Sequence, residues 1–240
     1  MPALNIVVFL GLTLLWIYEG TKKKPIYTPA RAIFEGGGIK RGLTSPEAAV
    51  LLGKPFEKIL TLLILNMLEK KFIEFESGHR LKIVVAPEYE TRDKSLNSEK
   101  RGDLRRFAAQ NNGKVLHPYE AIFLELFEQV GEKPLGEINF ELTVDPFINH
   151  VAGRIGGFDL KETRGYYELI IRRAPKEARI DGVFVDDFQK VYDHNFLWLL
   201  LNENRDALFI GDGINYSPSW LDIDLDLPFL DFTNSIEEEV

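Results

Sequence analysis

The residue types most often used for metal binding and nucleophilic catalysis are sparse in this chain. It has four histidines and no cysteine. Without thiols there is no disulfide framework, no thiolate zinc site and no cysteine nucleophile. His79, His117, His150 and His194 have no H-x-x-x-H spacing, the pattern that places two imidazoles on one helix face. The sequence alone therefore predicts neither a metal site nor a cofactor.

Two acidic motifs near the predicted last long helix could take part in catalysis. Asp193 and His194 are two members of a possible triad, but no G-x-S-x-G motif accompanies them. Asp186 and Asp187 could hold a metal, yet an acidic pair is also favourable where a helix begins. We predict surface or capping roles and no enzyme activity. Catalysis stays an alternative if the fold gathers these residues in a deep pocket.

A third acidic motif lies near the C-terminus, where Asp222, Asp224 and Asp226 alternate with apolar residues. An EF-hand loop needs a glycine where Leu227 stands. Period-two alternation predicts an edge strand with its carboxylates on one face. The alternatives are a docking segment for a basic partner and, less favoured, a metal site.

Three adjacent glycines at 36–38 are the one motif that could contact phosphate. A P-loop needs G-x-x-x-x-G-K-[ST], and GGGIKRGLTS lacks the lysine–hydroxyl pair. We therefore interpret residues 21–42 as a flexible linker.

The elements that follow the linker have clear signals. Thr44 and Glu47 form a T-x-x-E capping box that begins a short helix ending near Gly53. A second helix begins near Pro55 with apolar residues at helical spacing, and residues 72–76 and 81–85 read as a β-hairpin. Two helices and a hairpin predict a winged-helix-like domain over residues 43–90.

The residues on the outer face of the second helix indicate which kind of partner such a domain would bind. A helix that reads DNA needs groups for bases and phosphates. This face offers one lysine, one acid and two leucines, Leu62 and Leu65, which we expect to be exposed. Nucleic-acid binding is therefore unfavoured, and a protein partner surface at these leucines is the preferred interpretation.

The second half of the sequence contains signals for further helices. A polar connector at 91–114, either loop or exposed helix, leads to a helical domain at 115–205. This domain has four segments with regularly spaced apolar residues, which begin at Pro118, after residue 140, at Asp159 and at Asp186. An acidic extended tail covers 206–240. The predicted fold class is mainly α with small β-hairpins (α+β).

The N-terminus carries the strongest hydropathy signal. Residues 3–18 are uncharged and mostly apolar. A helix over residues 1–20 spans about 30 Å, enough for one upright membrane crossing. Its ten strongly apolar residues favour insertion by about 3 to 6 kcal/mol in total. We predict a transmembrane anchor. The alternatives are a signal peptide, which lacks a cleavage site here, and a helix buried in a globular domain.

Charge predicts how the anchor is oriented. Lys22, Lys23 and Lys24 follow it directly and favour a cytoplasmic body at the inner membrane surface. The net charge of −8 is unevenly spread: residues 20–115 have 19 basic and 11 acidic side chains, and residues 116–240 have 10 and 25. A basic membrane-proximal half suits an anionic bilayer surface.

Three segments carry a family resemblance: GLTSPEAAVLLGKPFEKILTLLILNMLEKKFIEF, LHPYEAIFLELF and GFDLKETRGYYELIIRRA. Over about residues 42–205 the chain resembles bacterial predicted membrane proteins of unknown function whose cytosolic C-terminal half is a degenerate winged helix. The resemblance implies an anchor before a cytosolic module, and no known activity or cofactor.

The functional expectation is a single-pass, membrane-tethered scaffold that contacts the lipid bilayer and an unidentified protein partner. A tethered nucleic-acid-binding regulator is the alternative. No small-molecule substrate is indicated.

Overall fold

Helices dominate the computed structural model, which describes residues 37–76, 81–91, 93, 95–131, 133–177, 185–205, 218–221 and 229–240. Within these ranges the chain forms eight α-helices and two β-strands. In chain order they are α1 (Ser45–Leu51), α2 (Phe56–Glu69), β1 (Ile73–Glu76), β2 (Lys82–Val85), α3 (Ser98–Asn111), α4 (Pro118–Val130), α5 (Glu141–Ile155), α6 (Leu160–Glu177), α7 (Val185–Leu200) and α8 (Phe229–Glu239). The predicted mainly helical α+β class is confirmed.

The predicted hairpin is present as a two-stranded antiparallel sheet. Ile73 pairs with Val85 and Glu76 pairs with Lys82. Ile73, Ile83 and Val85 are buried, so one face of the hairpin joins the core. Period-two alternation of apolar and polar residues is the physical reason for this register.

Helix α1 begins as the capping box predicts. The Thr44 hydroxyl accepts the Glu47 backbone N–H at 3.4 Å, and the Glu47 carboxylate accepts the Thr44 N–H at 2.7 Å. The helix ends at Leu51, two residues before Gly53, whose positive φ of 65° suits a residue without a Cβ. A short loop then leads into α2.

Helix α2 is the central element, and it corrects one prediction. Every residue from Leu60 to Leu68 is buried. The expectation that Leu62 and Leu65 are exposed is wrong, because both side chains are fully covered. Helix α2 packs against α1 and β1 and also against α7 and α8, two helices far along the chain. Helical periodicity identified one apolar face and could not show that later helices cover the other.

A shared core joins the segments that the sequence assigned to separate domains. The described residues from Gly38 to Val240 form one compact unit. The main hydrophobic cluster extends from Ala49 through Phe123 and Phe196 to Ile236. A smaller cluster of Leu43, Ala48, Leu51 and Tyr167 lies beside it. The described end of the predicted linker packs on α6, where the Lys40 N–H donates to the Thr163 hydroxyl at 3.1 Å.

The polar connector forms helix α3, which is anchored by one buried side chain. Arg105 is 1 % exposed. Its guanidinium donates to the Tyr89 carbonyl at 3.1 Å, to Glu125 at 2.8 Å and to Glu128. Helix α3 is thereby fixed to α4.

Among the residues that the structure describes, no helix is both long and apolar enough to cross a membrane. The predicted anchor at residues 1–20 lies outside those residues.

Candidate functional site

Three side chains from distant parts of the chain meet in a polar cluster. Glu47 lies on α1, His117 directly precedes α4, and His150 lies on α5. One carboxylate oxygen and two ring nitrogens lie within 4.8 Å of one another. We call these residues the Glu47–His117–His150 cluster. It brings together residue types that general acid–base chemistry and metal binding both use.

Glu47 is held by the local geometry of its own helix. As the third helical residue it turns back to accept the Thr44 N–H through Oε2, at 2.7 Å. The same side chain is fully buried. A capping residue therefore also supplies the carboxylate of the cluster.

Helix α5 provides two partners for this carboxylate from one face. His150 and Arg154 are four residues apart, so their side chains are neighbours on the helix. His150 Nε2 lies 3.2 Å from Glu47 Oε1. Arg154 Nη1 donates to Oε1 at 2.7 Å and to Oε2 at 2.5 Å, and Nη2 donates to the Gly42 carbonyl at 2.7 Å. Burial alone would raise the pKa of Glu47, but the hydrogen bonds from Arg154 and Thr44 hold it below its ordinary value.

Aromatic rings hold the two imidazoles in place. The Tyr119 ring stacks on His117 with centroids 5.4 Å apart and planes 6° apart, and it lies 5.0 Å from His150. The Tyr119 hydroxyl is 3.2 Å from the Thr44 hydroxyl. Burial, and then the charge of Lys70, lowers the pKa of His117 to about 4. His117 is therefore neutral at physiological pH and one ring nitrogen is free of a proton.

A second buried carboxylate stands beside the cluster. Glu120, the third residue of α4, accepts the His117 backbone N–H at 2.7 Å. It also accepts from Asn66 at 2.9 Å and from Lys70 at 2.5 Å. Burial raises the pKa of Glu120, and Lys70 acts against that rise. Three donors therefore hold the Glu120 carboxyl group at the start of α4, where it is paired with Lys70.

An apolar groove lies near the cluster, between α1, α5 and α6. Its volume is about 560 Å³. Ile148 and Leu160 are 45 % and 51 % exposed there. The charged residues that line it are Lys161 and Arg164, both basic. The remaining apolar lining comes from Val50, Leu51, Val151, Ala152 and Ile155.

The candidate surface and catalytic residues that the sequence indicated, as far as the structure describes them, are not gathered at this site. Leu62 and Leu65 lie in the core. Lys22, Lys23, Lys24, Asp222, Asp224 and Asp226 lie outside the residues that the structure describes. His194 is exposed on α7, and the neighbouring Asp193 carboxylate accepts the Ser219 N–H at 3.2 Å.

Sequence spacing did not indicate the cluster because its members are separated by long stretches of chain. His150 and Glu47 are 103 positions apart. One signal was available: H-P-Y-E at 117–120 places a glutamate at the third helical position, as T-S-P-E does at 44–47. Two such boxes predict two ordered helix starts, but nothing in them predicts that the starts adjoin.

Comparison with known proteins gives no relative. No family model, no curated protein and no solved structure matches the chain. The proposed function therefore depends on the sequence and on the geometry of the described residues.

Proposed function

We propose that this chain is a membrane-tethered cytosolic scaffold that binds a protein partner in the groove between α1, α5 and α6. The observation that supports it is the exposure of Ile148 and Leu160 in a groove whose charged lining is wholly basic. Clustered exposed apolar residues with a polar rim are typical of partner-binding surfaces.

The groove suits an amphipathic helix with acidic flanks. Helical ligands of apolar grooves insert side chains spaced at i, i+3 or i+4 and i+7. Leu160 and Ile148 would contact such anchors, while Lys161 and Arg164 would face carboxylates at the margin. The Arg164 Nε already donates to the Leu51 carbonyl at 2.8 Å, which holds its guanidinium at the groove.

The burial of α2 favours a scaffold over a nucleic-acid-binding regulator. In a winged-helix interpretation, α1, α2 and the β1–β2 hairpin form the unit and α2 is the recognition helix. A recognition helix must enter the major groove with its side chains against base edges. Residues Leu60–Leu68 are buried instead, and Lys58 at the start of α2 is paired with Glu237 of α8 at 2.6 Å.

The tether rests on the composition of residues 3–18 and on the three lysines that follow. Positive residues beside a single span favour a cytoplasmic body. A tethered module would hold its partner at the inner membrane surface and raise the local concentration of that partner.

A peptide titration tests the groove. The full chain in detergent is titrated with a labelled amphipathic helical peptide that has leucine anchors and glutamates elsewhere. The same peptide with lysines in place of glutamates is the charge control. We expect the acidic peptide to bind and the lysine peptide to bind about tenfold more weakly.

Two matched variants locate the binding. Leu160→Glu should weaken binding of the acidic peptide at least about tenfold. Leu104→Glu is the control, because Leu104 is also 51 % exposed but lies on α3, away from the groove. Equal effects of the two variants, equal affinity for both peptides, or no peptide binding would contradict the proposal. So would a dimer that Leu160→Glu dissociates, since a second copy would then occupy the groove.

The nucleic-acid alternative has its own assay. Duplex DNA binding to the full chain is measured at two salt concentrations. Binding that is tight and falls steeply with salt would support the regulator instead, because released counterions give that dependence.

A further inference from the structure

We propose that the Glu47–His117–His150 cluster is a binding site for a divalent transition metal of the Zn²⁺ class. Two imidazole nitrogens and one carboxylate oxygen form a ligand set that such ions use in proteins. Mg²⁺ and Ca²⁺ prefer oxygen ligands throughout and suit this cluster poorly.

The observed distances are close to those that an ion requires. Zn–N and Zn–O bonds of about 2.0–2.2 Å place the ligand atoms of a tetrahedral ion about 3.3 Å apart. His150 Nε2 and Glu47 Oε1 are already 3.2 Å apart. The remaining separations within the cluster are at most 4.8 Å. A small rotation of the imidazoles would therefore complete the geometry.

The carboxylate of Glu47 divides its two oxygens between two tasks. Oε2 accepts the Thr44 N–H and Arg154 Nη1, at 2.7 Å and 2.5 Å. Oε1 faces His150 and shares the same Arg154 nitrogen, at 2.7 Å. An ion would bind Oε1 and replace that one contact, while Arg154 keeps Oε2 and the Gly42 carbonyl. Arg154 would then act as an outer partner that orients the ligating carboxylate.

The cations nearby set the strength of the site. Arg154 and Lys70 both disfavour an added positive charge, but each is paired with a buried glutamate, Glu47 and Glu120. Binding must therefore come from direct bonds to nitrogen rather than from excess negative charge. This requirement favours Zn²⁺, Co²⁺ or Ni²⁺ over oxygen-seeking ions.

Access and rigidity also suit a metal. His150 is 20 % exposed, so an ion can enter from solvent. The ligands come from three elements, and the stacked Tyr119 limits motion of His117. Three protein ligands leave one tetrahedral position for water. The site is independent of the partner groove, and either can exist without the other.

Cobalt titration tests the site. The purified full chain, treated with chelator and then freed of it, is titrated with Co²⁺ while visible absorption is recorded, and Zn²⁺ is then added as competitor. We expect the absorption of a low-coordinate Co²⁺ complex, at one ion per chain, and its loss on adding Zn²⁺. Thermal unfolding should shift upward with Zn²⁺, because an ion bound only by the native state stabilises it.

Histidine variants decide whether this cluster holds the ion. His150→Ala and His117→Ala should each weaken Co²⁺ binding at least about tenfold. His194→Ala is the matched control, since His194 is exposed on α7, and it should bind like the parent chain. Circular dichroism checks that each variant is folded. If His117→Ala does not fold, the Co²⁺ affinity of His150→Ala decides the test, because His150 is partly exposed.

Two results would overturn the proposal. One is a parent chain that shows no Co²⁺ absorption at micromolar ion. The other is a folded His150→Ala variant that binds Co²⁺ as tightly as His194→Ala does.

Discussion

Arg154 donates one guanidinium nitrogen to both carboxylate oxygens of Glu47, a residue 107 positions earlier in the chain. This pair fastens α5 to the first turn of α1. Because Glu47 is fully buried, its charge depends on that guanidinium and on the Thr44 N–H. The Glu47–Arg154 pair is therefore needed both for the packing around the cluster and for the orientation of the Glu47 carboxylate.

Removing the charge of Glu47 should destabilise the protein strongly. Glu47→Gln keeps the shape of the side chain but leaves Arg154 without a countercharge. We expect the free energy of unfolding to fall by about 3 kcal/mol, the usual cost of breaking a buried ion pair. Asp103→Asn is the control, because its pair with Arg106 is exposed and should be worth less than about 0.5 kcal/mol. Urea unfolding measures both, and equal losses would contradict the expectation.

Arg105 should not be replaceable by lysine. Its fork of donors reaches the Tyr89 carbonyl, the Thr91 hydroxyl and two glutamates, and an ammonium group cannot reproduce that fork. Arg105→Lys should lower the free energy of unfolding by about 3 kcal/mol. The adjacent Arg106→Lys, on the exposed face, should have almost no effect. If Arg105→Lys lowers the free energy of unfolding only slightly, this buried network contributes little to stability.

Glu69 should make stability depend on pH. Burial raises the pKa of Glu69 from 4.5 to about 7, and Asp193 adds to the rise. The unfolded chain then releases this proton near pH 4.5 and the folded chain near pH 7. The stability that the bound proton contributes is complete below pH 4.5 and is lost as pH rises to 7.

The variant Glu69→Gln isolates that dependence, because it keeps the neutral form at every pH. Its advantage over the parent chain should be near zero at pH 4 and reach about 3 kcal/mol at pH 8. Taking the difference between the two proteins at each pH cancels the other titrating groups, His117 among them. Glu74→Gln, an exposed substitution on β1, is the control and should give a small, constant difference. A flat difference for Glu69→Gln would contradict the prediction.

Two lysines should abolish the proposed membrane tether. Leu10→Lys together with Leu12→Lys adds about 5 to 7 kcal/mol to the insertion cost, which exceeds the 3 to 6 kcal/mol that favours insertion. Membrane sedimentation should therefore find the parent chain in the pellet and the double variant in the supernatant. Leu104→Lys, outside the N-terminal segment, should stay with the membrane. A parent chain that remains in the supernatant would contradict the anchor.

Local signals in the sequence determined most of the secondary structure. The capping box at Thr44 and Glu47, the Pro118 helix start and the alternation in the hairpin depend on neighbours only a few residues apart. Such patterns are set by backbone hydrogen bonding and by side-chain periodicity, so they can be read without knowing the fold. Composition likewise excluded thiol chemistry.

Tertiary structure alone decided the rest. Periodicity gave Leu62 and Leu65 an outward face, and only the tertiary packing, in which α2 also contacts α7 and α8, showed that both side chains are buried. In the same way, no local rule relates His117 to His150 or either of them to Glu47, because each sits on a different element. Which helix faces meet depends on burying the whole apolar surface at once. That requirement joins residues a hundred positions apart, and it is what forms both the cluster and the groove.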